Sequence, residues 1–404
     1  MSRIEELIER LCPDGVEYRA LSEVGVLTRG KRFCHKDAVE DGIPCIHYGE
    51  LYTHYGVWAD RVKSHVRTDM APKLRYASPG DVVIVGAGEA VEDIGIAVAW
   101  LGDGEVAVHD ACYIYSHSLN PKYVSYYCRT RSYHDQLRRF ISSGKISSIS
   151  AKGVGQARIP VPPMEVQEEI VRVLDSFAEL EAELEAELEA RKAQYAYYRD
   201  RILTFEERER VKWVALGEIC DLRAGKAISS KYVGSTATSG LLVRCYGGNG
   251  LRGYVSEPNV DEDRCVIGRQ GALCGNVCYA EGPFYATEHA VVVTPKTQLS
   301  ERYLYHILVK SDLGQYRTAG AQPGLSVARL KRVAVPLPLY EEQSAIAETL
   351  DRFDVLTSSL SEGLPAEINA RRKQYAYYRD KLLSFREKGL QAWVPSGAKM
   401  KQIV

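Results

Sequence analysis

The sequence predicts an α+β chain with an internal repeat: two mixed α/β globular domains separated by two long antiparallel helices, related by a pseudo-two-fold axis. Three matches within the chain carry this reading. The segment RKAQYAYYRDRILTF (Arg191–Phe205) recurs as RRKQYAYYRDKLLSF (Arg371–Phe385) at an offset of 180. Upstream, IPVPPMEVQEEI (Ile159–Ile170) recurs as VPLPLYEEQSAI (Val335–Ile346) at 176, an offset that holds without gaps from Gly144/Gly320 to Leu180/Leu356. The domain starts repeat as well, ALSEVGVLTRGK (Ala20–Lys31) aligning with ALGEICDLRAGK (Ala215–Lys226) at 195. Self-similarity on this scale marks a duplicated structural unit, here a variable globular block followed by a more uniform helical one.

Read in order, the chain divides into an N-terminal helix and first domain (1–164), a central helix (165–208), a second domain (209–340), a C-terminal helix (341–388) and a tail (389–404). Ile4, Leu7, Ile8 and Leu11 share one face of an amphipathic first helix. In the globular blocks, short apolar runs such as Asp81–Val85 and Cys265–Gly268 alternate with glycine-rich turns, the pattern of strands and hairpins. One helix per block is expected, at Lys122–Phe140 and at Glu301–Gln315. Each helical block opens after a Pro-x-Pro element, since proline blocks any earlier helix. Ile170, Leu174, Phe177, Leu180, Leu184 and Leu188 then follow helical spacing, extended by Tyr195, Tyr198 and Ile202. Ile346, Leu350, Phe353, Leu356 and Leu360 repeat the stripe, followed by Tyr375, Tyr378, Leu382 and Phe385. A helix of about 40 residues, about 60 Å long, cannot bury such a stripe alone, so the two helices need each other. Gly363 and Pro365 kink or break the second. Ala178–Glu189 is three copies of Ala-Glu-Leu-Glu, and from Phe to the motif Gln the second repeat is four residues longer. In the tail, Trp393-Val394 aligns with Trp213-Val214, the vestige of a third unit.

Composition bounds the function. Of 404 residues, 45% are hydrophobic and 26% charged, ordinary for a soluble protein. No secretory leader and no apolar stretch long enough to span a membrane is evident, so ten cysteines imply reduced thiols in a cytoplasmic protein. Cys274 and Cys278 are spaced C-x-x-x-C without a second ligand pair, which favours free thiols over a metal site. The formal net charge of −1 hides a segregation. Seven basic residues and one acidic residue lie between Arg129 and Arg158, while Glu165–Glu189 is acidic, so different parts face different partners.

The duplicated Pro-x-Pro…Gln element with its Leu-Asp (Pro160, Pro162, Gln167, Leu174, Asp175; Pro336, Pro338, Gln343, Leu350, Asp351), the two R-K-x-Q-Y-x-Y-Y-R-D-x-(I/L)-L-x-F helix ends and the opening CPDGVEYRALSEVG (Cys12–Gly25) resemble the DNA-specificity subunits of Type I restriction–modification systems. The resemblance covers nearly the whole chain. It implies a non-catalytic subunit whose two target-recognition domains each read one half of a bipartite site in double-stranded DNA. It further implies two modification subunits docked on the helical region and motor-nuclease subunits in the complete complex. S-adenosylmethionine, ATP and Mg2+ would act on those partners, with no cofactor in this chain.

Sequence absences agree with that division of labour. The chain has no G-x-x-x-x-G-K-[ST] and no Asn-Pro-Pro-aromatic signature. Gly248–Gly253 matches G-x-G-x-x-G but precedes no helical pattern, so it reads as a glycine-rich turn. Two rivals stay open: a self-sufficient DNA methyltransferase or nuclease, and a two-module scaffold that does not bind DNA.

Base-reading side chains are sought among Arg, Lys, Asn, Gln, His and Ser near glycine turns, where Arg suits guanine and Asn or Gln suits adenine. In the second domain these are Lys226, Arg244, Asn249, Arg252, Arg269, Gln270 and Asn276. In the first they are Lys31 and Arg32, which match Lys226, then His47 and Tyr48, then Lys145 and Ser147 in the loop Ser142–Ser148, whose counterpart holds Gln322. Arg138 and Arg139 are phosphate anchors or a solvated helix face, and His289 reads as structural. Tyr195, Tyr198, Tyr375 and Tyr378 are the expected anchors for the modification subunits.

Overall fold

A computed structural model describes residues 3–205, 211–271, 273–318, 323–358 and 363–389. The aligned Trp393-Val394 and the rest of the tail beyond 389 therefore lie outside the described residues, as does Gln322. The chain forms two compact units, Met1–Glu183 with Asn369–Val404, and Leu184–Ile368.

In the first unit, the helix Arg3–Leu11 lays Ile4, Leu7, Ile8 and Leu11 on the core. Val82–Val85 is buried on both faces, the signature of a central strand. It lies in a five-stranded sheet of order Gly25–Arg29, Cys112–His117, Val82–Val85, Ala97–Trp100, Trp58–Ala59. The second unit repeats the antiparallel part of that order: Cys220–Ala224, Ala290–Pro295, Arg264–Gly268, Val277–Ala280. Each unit adds a second sheet, five-stranded in the first and three-stranded in the second.

The helix expected at Lys122–Phe140 is two helices, Pro121–Tyr127 and Arg131–Arg138. Thr130 takes an extended backbone, and its hydroxyl accepts the Tyr133 N–H, so it starts a new helix instead of continuing the old one. The helix expected at Glu301–Gln315 ends at Lys310. Asp312 adopts a left-handed conformation, and only a 3-10 turn, Leu313–Tyr316, comes after it.

The Pro-x-Pro…Gln…Leu-Asp element fastens each globular block to a long helix. In the first unit the Gln167 carboxamide accepts the Asn120 N–H at 2.9 Å and donates to the Pro162 carbonyl at 2.8 Å. Asn120 caps the helix Pro121–Tyr127, whose Lys122 and Tyr126 both bind Asp175, at 2.8 and 2.6 Å. The second unit repeats every part. Gln343 accepts the N–H of the helix cap Ser300 and donates to the Pro338 carbonyl, while Arg302 and His306 bind Asp351. Both glutamines are buried. A buried carboxamide with each end satisfied holds position at little cost, whereas an unsatisfied one is expensive.

Met164–Ile202 is one helix of 39 residues, about 58 Å at the usual rise. The second repeat gives two helices, Tyr340–Ser358 and Gly363–Leu382. At Gly363, φ is +75°, and a Cβ there would lie 2.7 Å from the carbonyl oxygens of Val355 and Leu356, so only glycine fits. The division falls between Leu356 and Arg371, the same interval in which the second repeat gains its four residues.

Helix pairing is reciprocal. In the first unit Phe177 stacks on Tyr378 at 5.7 Å and meets Tyr375 at 6.4 Å. Glu181 lies 2.6 Å from Arg372, so the partner number falls as this helix rises, and the pair is antiparallel. In the second unit Phe353, the repeat counterpart of Phe177, stacks on Tyr195 and Tyr198 at 6.3 and 5.9 Å. Each phenylalanine thus packs on the tyrosine pair of the other repeat.

The glutamine joint predicts a specific cost. Gln167→Leu leaves the Asn120 N–H and the Pro162 carbonyl buried without partners, and should destabilise the first unit by about 1–3 kcal/mol. Thermal denaturation read by near-UV circular dichroism measures it, and a loss under about 0.5 kcal/mol would show that the carboxamide is not a joint.

Candidate nucleic-acid interface

The two units present the same backbone frame at the end of their first long strand. Gly30 N–H donates to the Cys112 carbonyl and Lys31 N–H to that of Val108; Gly225 and Lys226 do the same to Ala290 and Ala286. A Cβ on Gly30 would lie 2.2 Å from the His109 oxygen, and one on Gly225 2.1 Å from that of Ala286. Glycine is required for that approach, and it leaves Lys31, Arg32 and Lys226 exposed.

In the second unit the glycine cluster is a hairpin. Gly248 and Asn249 turn between the strands Val243–Gly247 and Gly250–Val255, with Gly250 at φ +88°. This hairpin packs backbone to backbone on the next glycine loop: a Cβ on Gly268 would lie 1.9 Å from the Gly248 oxygen, and one on Gly248 2.4 Å from that of Gln270. Gln270 in turn bridges Gly324, while the Arg269 carbonyl accepts the Leu325 N–H at 2.9 Å. Three loops far apart in sequence therefore meet around one open cleft of about 890 Å³. Asn249, Arg252 and Gln270 line it together with Ser229, Ser230 and His289. Arg252 donates to the Ser230 hydroxyl at 2.9 Å.

The remaining residues singled out in this domain stand apart from the cleft lining. Arg244 is ion-paired to Glu281 at 2.9 Å. Asn276 is exposed and donates to the Cys278 sulfur at 3.5 Å. Arg269 is half-buried, with Nε lacking a hydrogen-bond partner. His289 Nδ1 and Glu288 Oε2 at the cleft wall are likewise buried without protein partners. Of these further lining residues, Ser229 and Ser230 have no sequence signal, since nothing in a lone Ser-Ser marks it out, and His289, a single histidine, reads from sequence as structural.

The first unit builds the same junction with different side chains. Ser147 and Ser148 pair with Gly88 and Ala87, as Gly324 pairs with Gln270. Ser147 is buried in this pairing, so its hydroxyl is withdrawn from the surface, which corrects its assignment as a base or phosphate contact. Lys145 remains exposed beside it. His47 and Tyr48 join an aromatic cluster with Phe33, His109 and Tyr52, with His47 and His109 ring centres 4.5 Å apart. They line a separate cleft of about 440 Å³.

The four tyrosines divide by exposure. Tyr195 donates to or accepts from His306 at 3.1 Å and is half-buried, and Tyr375 packs on the first core. Both make these contacts within their own units and keep part of their surface exposed. Tyr198 and Tyr378 are partly exposed, and Tyr197 and Tyr377 more so, at 59% and 62%. Among the described residues no group of three or more His, Cys, Asp or Glu is placed to hold a metal ion, and no helix is long and apolar enough to cross a membrane.

A duplicated, loop-built junction, carried in each unit on a joint to a long helix, defines a two-module recognition protein. Residues 13–190 and 208–370 match the family model of the Type I restriction modification DNA specificity domain, and the chain belongs to that family. It is 42% identical over 260 residues to the Type I restriction enzyme EcoprrI specificity subunit of Escherichia coli, covering 61% of this chain and 64% of that protein, just under two thirds of its length. A putative type I specificity subunit of Haemophilus influenzae is 25% identical over 95% of this chain and 98% of its own length. The fold is shared with the Type-I restriction-modification S subunit of M. genitalium (TM-score 0.55, 17% identity, 91% of this chain and 96% of that one). It is also shared with a chain from a structure of type I R-M complex assembly and conformational transition (TM-score 0.63, 17% identity, 91% and 97%).

Histidine titration gives a pH dependence. Burial, then the neighbouring His47, holds the His109 imidazole down at about 4. Its Nδ1 accepts the Ala111 N–H at 3.1 Å, so that nitrogen carries no proton, and its contact with Asp110 is not an ion pair. The unfolded chain binds a proton near pH 6.5 that the folded unit refuses, so stability falls as pH drops from about 6.5 toward 4. Melting temperatures at pH 7.5, 6 and 5 should show this fall, to which His117, also held down at about 4 by burial, contributes in the same sense, and His109→Phe should make it shallower; an unchanged slope would mean the His109 imidazole is not held neutral.

Proposed function

We propose that this chain is the DNA-reading subunit of a Type I restriction–modification complex, each unit reading one half of a bipartite duplex target. The observation that carries the reading is the repeated junction: beside a lysine common to both units (Lys31/Lys226), Gly86-Ala87/Arg269-Gln270 and Ser147-Ser148/Pro323-Gly324 occupy matched backbone positions but bear different side chains. A constant frame with variable side chains is what two half-sites of different sequence require. In this reading the exposed tyrosine faces of the helices receive the modification subunits, which bind S-adenosylmethionine, while ATP and Mg2+ act on motor-nuclease subunits. The chain itself carries out no bond chemistry. A cytoplasmic location accords with DNA as the ligand.

The test is a methylation assay of the full chain assembled with its modification subunits on a library of duplexes. A bipartite consensus is the expected product, and methylation by the purified chain alone would instead make it a self-sufficient enzyme. In the assembled complex, Arg252→Ala or Gln270→Ala should relax one half-site and cost about 1–3 kcal/mol at the affected base pair. Relaxation of both halves would break the modular assignment.

The Ala-Glu-Leu-Glu units supply a second measurement. Removing Ala182–Glu185 shortens the helix by about 6 Å and turns its C-terminal remainder by about 40°. That variant should retain both half-site sequences and prefer a gap shorter by one or two base pairs, about 3.4 Å each. An unchanged gap in an active complex would reduce these units to filler.

A further inference from the structure

The first unit carries a large cleft separate from its candidate reading residues. It measures about 940 Å³ and lies between the helix Arg131–Arg138 and the stretch Lys373–Ser384. Six cationic side chains line it, Arg129, Arg131, Arg138, Lys373, Arg379 and Lys381, against two carboxylates, Glu92 and Asp380. Part of that charge is committed: Arg379 lies 2.9 Å from Asp380, and Arg138 3.1 Å from Asp135. Arg131, Lys373 and Lys381 are exposed and make no ion pair among the described residues.

The cleft floor has the character of an anion site. Arg129 donates to the carbonyls of Gly56 and Ala97, yet its Nε is buried without a partner. Burial, and then the guanidiniums of Arg379, Arg129 and Arg138, hold the His134 imidazole below its ordinary value, so this histidine adds no positive charge of its own. Arg379 and Lys381 have basic counterparts in Arg199 and Arg201, but the rest of the charge is particular to this unit. In the register that matches Tyr123 to Tyr303, Arg129 falls on Val309, and in the helical repeat Lys373 falls on Ala193.

Its position selects the ligand. Val91 and Glu92 on its rim come shortly after Ala87 and Gly88, which pair with Ser148 and Ser147, and Ile141 on the same rim leads into that loop. A duplex read at this loop would bring its backbone to the cleft mouth. We propose that the cleft is a phosphate clamp, holding two or three backbone phosphates next to the half-site read by the first unit, without reading sequence. This deepens the function proposed above and rests on it. It makes the two half-sites unequal, because the first unit would add a salt-sensitive grip that the second does not share.

The experiment uses the full chain assembled with its modification subunits and a 40-base-pair duplex bearing the target. Affinity is measured across potassium chloride concentrations for the wild type, for the triple variant Arg131→Ser, Lys373→Ser, Lys381→Ser, and for Lys373→Arg. Each lost phosphate contact removes about 0.9 from the slope of log affinity against log salt. The triple variant should therefore lose about two to three from that slope and keep its target sequence and its assembly, while Lys373→Arg keeps the wild-type slope. An unchanged slope in a complex that assembles and reads its target overturns the clamp. So does failure of the folded triple variant to assemble with its modification subunits, which would make the cleft a protein-docking face. If the wild-type complex shows no sequence preference, the functional reading itself has failed, and the clamp with it.

Discussion

In both units a single side-chain amide decides where the globular block sits. Gln167 and Gln343 each take the N–H that begins a domain helix and give their own to the carbonyl of the second proline before the long helix. Two backbone groups that would otherwise be buried unpaired are satisfied by one residue, and this fixes the angle between sheet and helix. Asp175 and Asp351 then hold the same domain helix two turns further along, through Lys122 and Tyr126 in one unit and Arg302 and His306 in the other. The glutamine is identical in the two units, whereas the groups that reach the aspartate vary. That is the expected pattern where a carboxamide must match two fixed backbone atoms, while a carboxylate accepts from any donor that comes within range.

Much of this was legible in the sequence because it is written twice. Duplication located the joint, the long helices and the matched glycine turns at Gly30 and Gly225, and helical spacing placed Phe177 and Phe353 on packing faces. Less legible was whatever depends on a single backbone conformation. Thr130 divides a helix that periodicity alone would continue, and Asp312 ends another. Among the candidate contacts, residue type picked out Asn249, Arg252 and Gln270, which converge. It also picked out Ser147, which strand pairing with Gly88 withdraws from solvent. Burial by a partner strand leaves no mark on a loop sequence of serines and glycine. In the tyrosine motif, helical spacing placed Tyr195 and Tyr375 on the packing stripe, where both lie against their cores, while Tyr197 and Tyr377 turn outward.

The Tyr195–His306–Asp351 contacts show how one frame carries different chemistry. His306 is fully buried, and burial keeps its imidazole below the ordinary value, so the neutral ring donates from Nε2 to Asp351 and accepts from the Tyr195 hydroxyl at Nδ1. The corresponding position in the first unit is Tyr126, whose hydroxyl reaches Asp175 directly. The histidine spans from the domain helix to both long helices; the tyrosine spans to one. The joint tolerates the exchange because either side chain offers a donor of the right length to the carboxylate.

Reciprocal pairing also sets the order in which the molecule can be completed during synthesis. The first unit is closed by residues from the far end of the chain. The Val16 backbone pairs with Arg386 and Lys388, the Tyr18 hydroxyl bonds Phe385, and Arg158 pairs with Glu387. The second unit draws only on Leu184–Ile368. On a ribosome, therefore, the second unit has all its parts before the first, although the first block emerges earlier. Until residues 375–388 have been made, the N-terminal block lacks Leu383 in its core and its helix lacks the Tyr375 and Tyr378 faces.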